Sequence, residues 1–170
     1  MPNWTANTVT MKGIGKEDLY KFVKDPVTGR KVKYFDFDKL IPEPRTKEEL
    51  ITKYGKQYLN NECKNVQKDE EKPWFDWYNW RATFWGTKWN ACNCMCSYSD
   101  DEIQFDTAWN EPSPIWEALT RKFPDRLVEI SADYEEGYTI NSEWLNGEET
   151  WEQTYGDIED EYDDEEEEED

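Results

Sequence analysis

The chain of 170 residues has no histidine. That absence excludes Ser-His-Asp and Cys-His nucleophilic mechanisms, histidine-ligated metals and the usual general base of neutral-pH catalysis. It also has no GxxxxGK[ST] phosphate loop, no GxGxxG and no GxSxG. No apolar run approaches the roughly 20 residues that span a bilayer. The opening segment MPNWTANTVT lacks the basic and apolar regions of a signal peptide. A cytoplasmic protein is therefore expected, with its four cysteines reduced. A carboxylate-only enzyme stays chemically open, but forty acidic residues make chance pairs certain, so such pairs carry no information. The chain is read as non-enzymatic, with no cofactor.

The apolar fraction of 36% is low, yet ten Trp, ten Tyr and seven Phe are present. Each aromatic can bury roughly 150–250 Å², so few residues suffice for a core. The net charge is −20, and residues 157–170 alone hold 12 acidic residues and no basic one. The remaining 28 acidic and 20 basic residues leave 1–156 at about −8. Direct nucleic-acid binding, which needs clustered Lys and Arg, is not expected. A basic partner is, including one that normally holds nucleic acid.

Residues 5–12 alternate, with Asn7, Val9 and Met11 on one face of a strand. Leu19, Phe22 and Val23 fall at helical spacing over 16–24, before Asp25-Pro26. Residues 32–42 read as extended. Thr46 and Glu49 form a capping box that opens a helix closed near Gly55. Residues 56–72 read as a loop. An aromatic helix is expected over 74–85, with Trp74, Trp77, Arg81, Phe84 and Trp85 on its packed stripe and Trp80 off it. Residues 89–98 and 102–109 predict a hairpin. Ser113-Pro114 opens a helix that buries Ile115, Leu119 and Phe123. Residues 126–135 and 138–145 predict a second hairpin, whose last strand is an exposed edge that could pair in a homodimer.

The expected fold is α+β: a ferredoxin-like antiparallel sheet with helices on one face over 1–150, an inserted helical segment at about 43–73, and a disordered acidic tail at 151–170. MPNW (1–4), FDFDKLIP (35–42), WGTKWN (85–90) and FDTAW (105–109) resemble the YubB ferredoxin-like family, found in phages and plasmids. Thr5 stands where that pattern often has Cys, and the tail is not part of it. The resemblance implies the fold and a mobile-element origin, hence the cytoplasm of a host cell. It implies no catalytic residues.

Cys92, Cys94 and Cys96 would line one face of a straight strand, with Cys63 as a fourth thiolate for zinc. That row spreads the ligands apart, so the thiols read as small apolar core groups. Trp85, Lys88, Asn90, Asp106 and Trp109 are expected to converge at one end of the sheet. There they form either a Trp-lined pocket for a small molecule or nucleotide signal, or a core with a supporting Lys88–Asp106 ion pair. Trp80 is a candidate interface residue. In the tail, Asp163, Asp164, Glu165, Glu166, Glu167, Glu168, Glu169 and Asp170 can mimic phosphates. These features point first to an anti-defence inhibitor, such as an anti-CRISPR DNA mimic, that binds a basic nucleic-acid-handling host protein. The alternative is a small-molecule sponge.

Overall fold

A computed structural model describes residues 3–15, 18–24, 27–60, 72–96 and 101–156. Cys63 and the acidic residues 163–170 lie outside them. Six strands form one sheet in the order β4-β5-β1-β6-β7-β8. They are β1 (Trp4–Thr10), β4 (Cys92–Cys96), β5 (Glu102–Ala108), β6 (Val128–Tyr134), β7 (Tyr138–Leu145) and β8 (Glu148–Gly156). Every neighbouring pair is antiparallel. Strands β2 (Tyr20–Lys24) and β3 (Lys31–Phe35) form a separate two-stranded arm. Helices α1 (Lys47–Lys53) and α2 (Trp77–Phe84) lie in the connection from β3 to β4, and α3 (Ser113–Lys122) joins β5 to β6.

Alternation decides the two faces of the sheet. Thr5, Asn7 and Val9 of β1 are buried, and their register partners Thr107, Phe105 and Ile103 on β5 are buried with them. Leu50 of α1, Trp80 of α2 and Ile115, Trp116 and Leu119 of α3 join the same core cluster. All three helices therefore cover one face, and the other is open.

Several elements differ from expectation. Residues 20–24 are a strand, not part of a helix. The sequence YKFVK also has strand alternation, and a partner strand, KVKYF, satisfies its backbone. The extended segment stops at Phe35, because buried Asp36 caps a short 3-10 turn over Phe37–Lys39. Helix α2 starts at Trp77, where Asp76 accepts from the Asn79 amide at 3.2 Å. Its fully buried residue is Trp80, expected off the packed stripe, while Trp85 is buried and Trp74, Trp77 and Phe84 pack against the core as that stripe requires. Pro112 caps α3 and Ser113 is already helical.

The expected edge 138–145 is paired on both sides, so it offers no dimer edge. Residues 148–156 form the sixth strand, so 151–156 belong to the sheet and not to the tail. The turn carries its own signal: Asn146 and Gly147 both have positive φ, 51° and 84°, as a two-residue Asn-Gly hairpin turn demands.

Candidate functional site

The expected site residues separate into two groups. Trp80 is fully buried and Trp85 is 2% exposed. Trp80 packs against Tyr54, Phe75, Phe84 and Trp85, so it is not an interface residue. Trp85 donates its indole N–H to the Ile41 carbonyl at 2.9 Å. It shares the Arg81 guanidinium with Trp77, each ring centre 5.0 Å away. Arg81 in turn holds Glu43 at 2.5 Å. This group fastens α2 to the segment before α1. Asn90 is a clasp: it donates to Asp36 at 2.8 Å and accepts from the amides of Phe37 and Ala91, each at 2.9 Å.

Lys88 and Trp109 do meet. The Lys88 ammonium lies 4.7 Å from the Trp89 ring centre, 5.7 Å from Trp109 and 5.8 Å from Tyr78. Three rings thus hold one cation. Trp109 takes a positive φ of 77°, with its carbonyl held by buried Thr5 at 2.7 Å. Lys88 makes no ion pair with Asp106. That carboxylate accepts instead from Asn93 at 2.8 Å. Asn93 sits in a bulge with φ of 49°, and the bulge breaks the expected straight row of thiols. Cys94 accepts from the Phe35 amide at 3.1 Å. Cys92 contacts the Asn90 carbonyl at 3.4 Å, and burial, reinforced by Asp106, pushes its thiol pKa up.

Asp106 belongs to the open face. Register places Asp106, Ala6, Asp133, Thr139 and Tyr155 in one row across five strands. A second row holds Gln104, Thr8, Ser131, Asn141 and Gln153, and a third holds Glu102, Thr10, Glu129, Glu143 and Trp151. Two carboxylate-bearing rows thus flank an uncharged one. They lie four residues apart along the strands, about 13 Å at roughly 3.3 Å per residue. Two shallow grooves open here. One, of about 360 Å³, runs along Trp4, Ala6, Asp106, Asp133 and Glu135. The other, of about 250 Å³, lies among Thr10, Glu129, Ser131, Glu143 and Trp151.

No family model, curated protein or solved structure matches the chain. Its site must be understood from its own chemistry.

None of the six strands of the main sheet contains Lys or Arg. Among the described residues, Asp106, Asp133 and Glu143 have no cation within ion-pair distance, and Glu129 meets exposed Lys12 only at 3.9 Å. Glu129 and Glu143 stand directly opposite one another, an arrangement of like charges that costs stability. Such a face attracts ammonium and guanidinium groups and repels phosphate. The sequence reading missed it because strand partners are set by register, which the linear order of these carboxylates does not reveal.

On the helix side, Glu111 forms a separate acidic cluster. Its carboxylate accepts from the Trp116 indole at 3.1 Å. Burial pushes its pKa up to about 7, and Glu149 and Glu152 of β8 reinforce the rise.

Proposed function

We propose that this protein binds a basic protein, one that normally holds nucleic acid, and inhibits it by presenting carboxylates in place of phosphates. The observation that carries this reading is the open face: two rows of carboxylates on a sheet whose strands contain no Lys or Arg. Their separation of about 13 Å compares with the roughly 12 Å width of the DNA major groove. The acidic segment 157–170 adds twelve like charges beyond β8. The setting proposed is the cytoplasm of a host cell, with the protein carried by a phage or plasmid and its target a defence factor such as a nuclease or CRISPR effector. The strand order β6-β1-β5-β4, built from two interleaved crossovers, we infer to be a ferredoxin-like core extended by β7 and β8.

The test uses the full chain, a chain ending at Gly156 and a Glu102→Gln/Glu129→Gln/Glu143→Gln variant. Each is used to capture a partner from host lysate at low and moderate salt, with duplex DNA as competitor. A basic partner held by the full chain, released by DNA and lost in the triple variant is the expected result. A partner held equally by the variant and indifferent to DNA defeats the reading.

A further inference from the structure

The β2–β3 arm reverses the charge of the sheet. Its strands supply Lys21, Lys24, Lys31 and Lys33 and no acidic residue, and Arg30 stands just before β3. Lys21 is engaged by Asp36 at 3.7 Å, and Lys33 lies over the Tyr20 and Phe22 rings. Lys24, Arg30 and Lys31 are exposed and have no ion-pair partner among the described residues. Lys24 stands directly opposite Lys31, the cationic counterpart of Glu129 opposite Glu143. Each pair is a local repulsion that a partner's charge of opposite sign would relieve.

Beyond the buried pair Tyr20 and Phe35, the arm is also bare. Phe22 is 50% exposed, and Val23 and Val32 are 40% exposed. Register and alternation put Phe22, Lys24, Lys31 and Lys33 on one side of the arm and Val23 and Val32 on the other. A two-stranded hairpin in water is marginal without cover.

We propose that the β2–β3 arm of one copy docks on the open face of a second copy, with Lys24 and Lys31 against Glu129 and Glu143. Both pairs are directly opposed cross-strand residues, so their spacings match at about 5 Å. The groove beside Glu129 and Glu143 is lined by Trp151, 43% exposed, which offers an apolar surface to Phe22. Arm and face are different patches, so the contact is head-to-tail. It rests on the reading of the open face as a cation-binding surface, and it makes self-association a competitor of the basic partner. The arm's lysines could also hold a nucleic-acid backbone, but a net charge of −20 opposes that.

Two variants test the contact by sedimentation equilibrium, with circular dichroism confirming that each folds: Lys24→Glu/Lys31→Glu in the arm and Glu129→Lys/Glu143→Lys in the face. The wild type is expected to self-associate at low salt, and each variant alone to do so at least tenfold more weakly. An equimolar mixture of the two restores association, because the reversed arm fits the reversed face. A monomeric wild type, or a mixture that stays monomeric, overturns the proposal. So does an arm variant that still self-associates but loses binding to a duplex oligonucleotide. An arginine-rich peptide separates this from the earlier reading: the arm variant keeps its affinity for the peptide and the face variant loses it. If the wild type binds no peptide, the reading of the face fails by itself.

Discussion

Trp80 occupies the middle of the core with its indole N–H lacking an acceptor. Trp80→Ala is expected to cost about 3–5 kcal/mol in chemical denaturation through the cavity it leaves. Trp80→Phe is expected to cost much less, because it removes the unsatisfied donor along with the lost area. The helix spacing of WFDWYNWRATFW cannot choose this residue, since aromatics occupy almost every face and the pattern has no phase. Glu111 yields a pH prediction. Its folded pKa of about 7 lies above its ordinary value of 4.5, so the folded state holds the proton more tightly than the unfolded chain. This group's contribution to stability is fully present below pH 4.5 and falls as pH rises to about 7. The loss is about 3 kcal/mol at roughly 1.4 kcal/mol per pH unit. Glu111→Gln should flatten that part of the stability profile and raise the melting temperature at pH 8.

The elements show where sequence logic held and where it failed. The hairpin of β6 and β7 and the helix after Pro112 stand close to their expected places, because alternation, Gly137 and Ser113-Pro114 are local signals. The paired strands β4 and β5 likewise stand within the hairpin expected over 89–98 and 102–109, with Cys92 opposite Asp106. Strand β2 was hidden because Leu19, Phe22 and Val23 satisfy a helical period as well as a strand one, and only the partner strand decides. Strand β8 was hidden by its glutamates, although Asn146-Gly147 announced the turn. Gly86, at the C-terminal end of α2, takes a φ of 76°, and an added Cβ would lie 3.0 Å from Pro114. Gly86→Ala is expected to lower stability by about 1–2 kcal/mol, measurable by urea titration. The WGTKWN segment thus contains a helix stop at Gly86, a buried anchor at Thr87, whose hydroxyl donates to the Ala108 carbonyl at 2.7 Å, and a caged cation at Lys88, of which the Ala108 and Trp109 contacts are too distant in sequence to read.

At the scale of the whole molecule, acidic strands form the large sheet and lysine-bearing strands form the arm. Charge was legible in the composition, but its division between two sheets was not, since it depends on which strands pair. Binding to a basic partner should weaken steeply with salt. The slope should be shallower for the Glu102→Gln/Glu129→Gln/Glu143→Gln variant, as fewer counterions exchange. A titration series from low to moderate salt checks this.

The position of β1 between β5 and β6 also governs how the chain is born. Thr5 pairs with Thr107 on one side and with Tyr134 on the other. At a synthesis rate of about 5–20 residues per second, β1 leaves the ribosome before either neighbour and waits on the order of ten seconds for the second of them. During that wait its edges are open to any passing strand. Thr5 and Asn7 face the core where apolar residues would be usual; in the finished fold Thr5 donates to the Trp109 carbonyl and the Asn7 amide nitrogen donates to the Phe105 carbonyl and the Thr107 hydroxyl, while the Asn7 side-chain oxygen is buried without a partner among the described residues. Before then the same polar groups keep the nascent strand hydrated, a safeguard built into the segment that must stay unpaired longest.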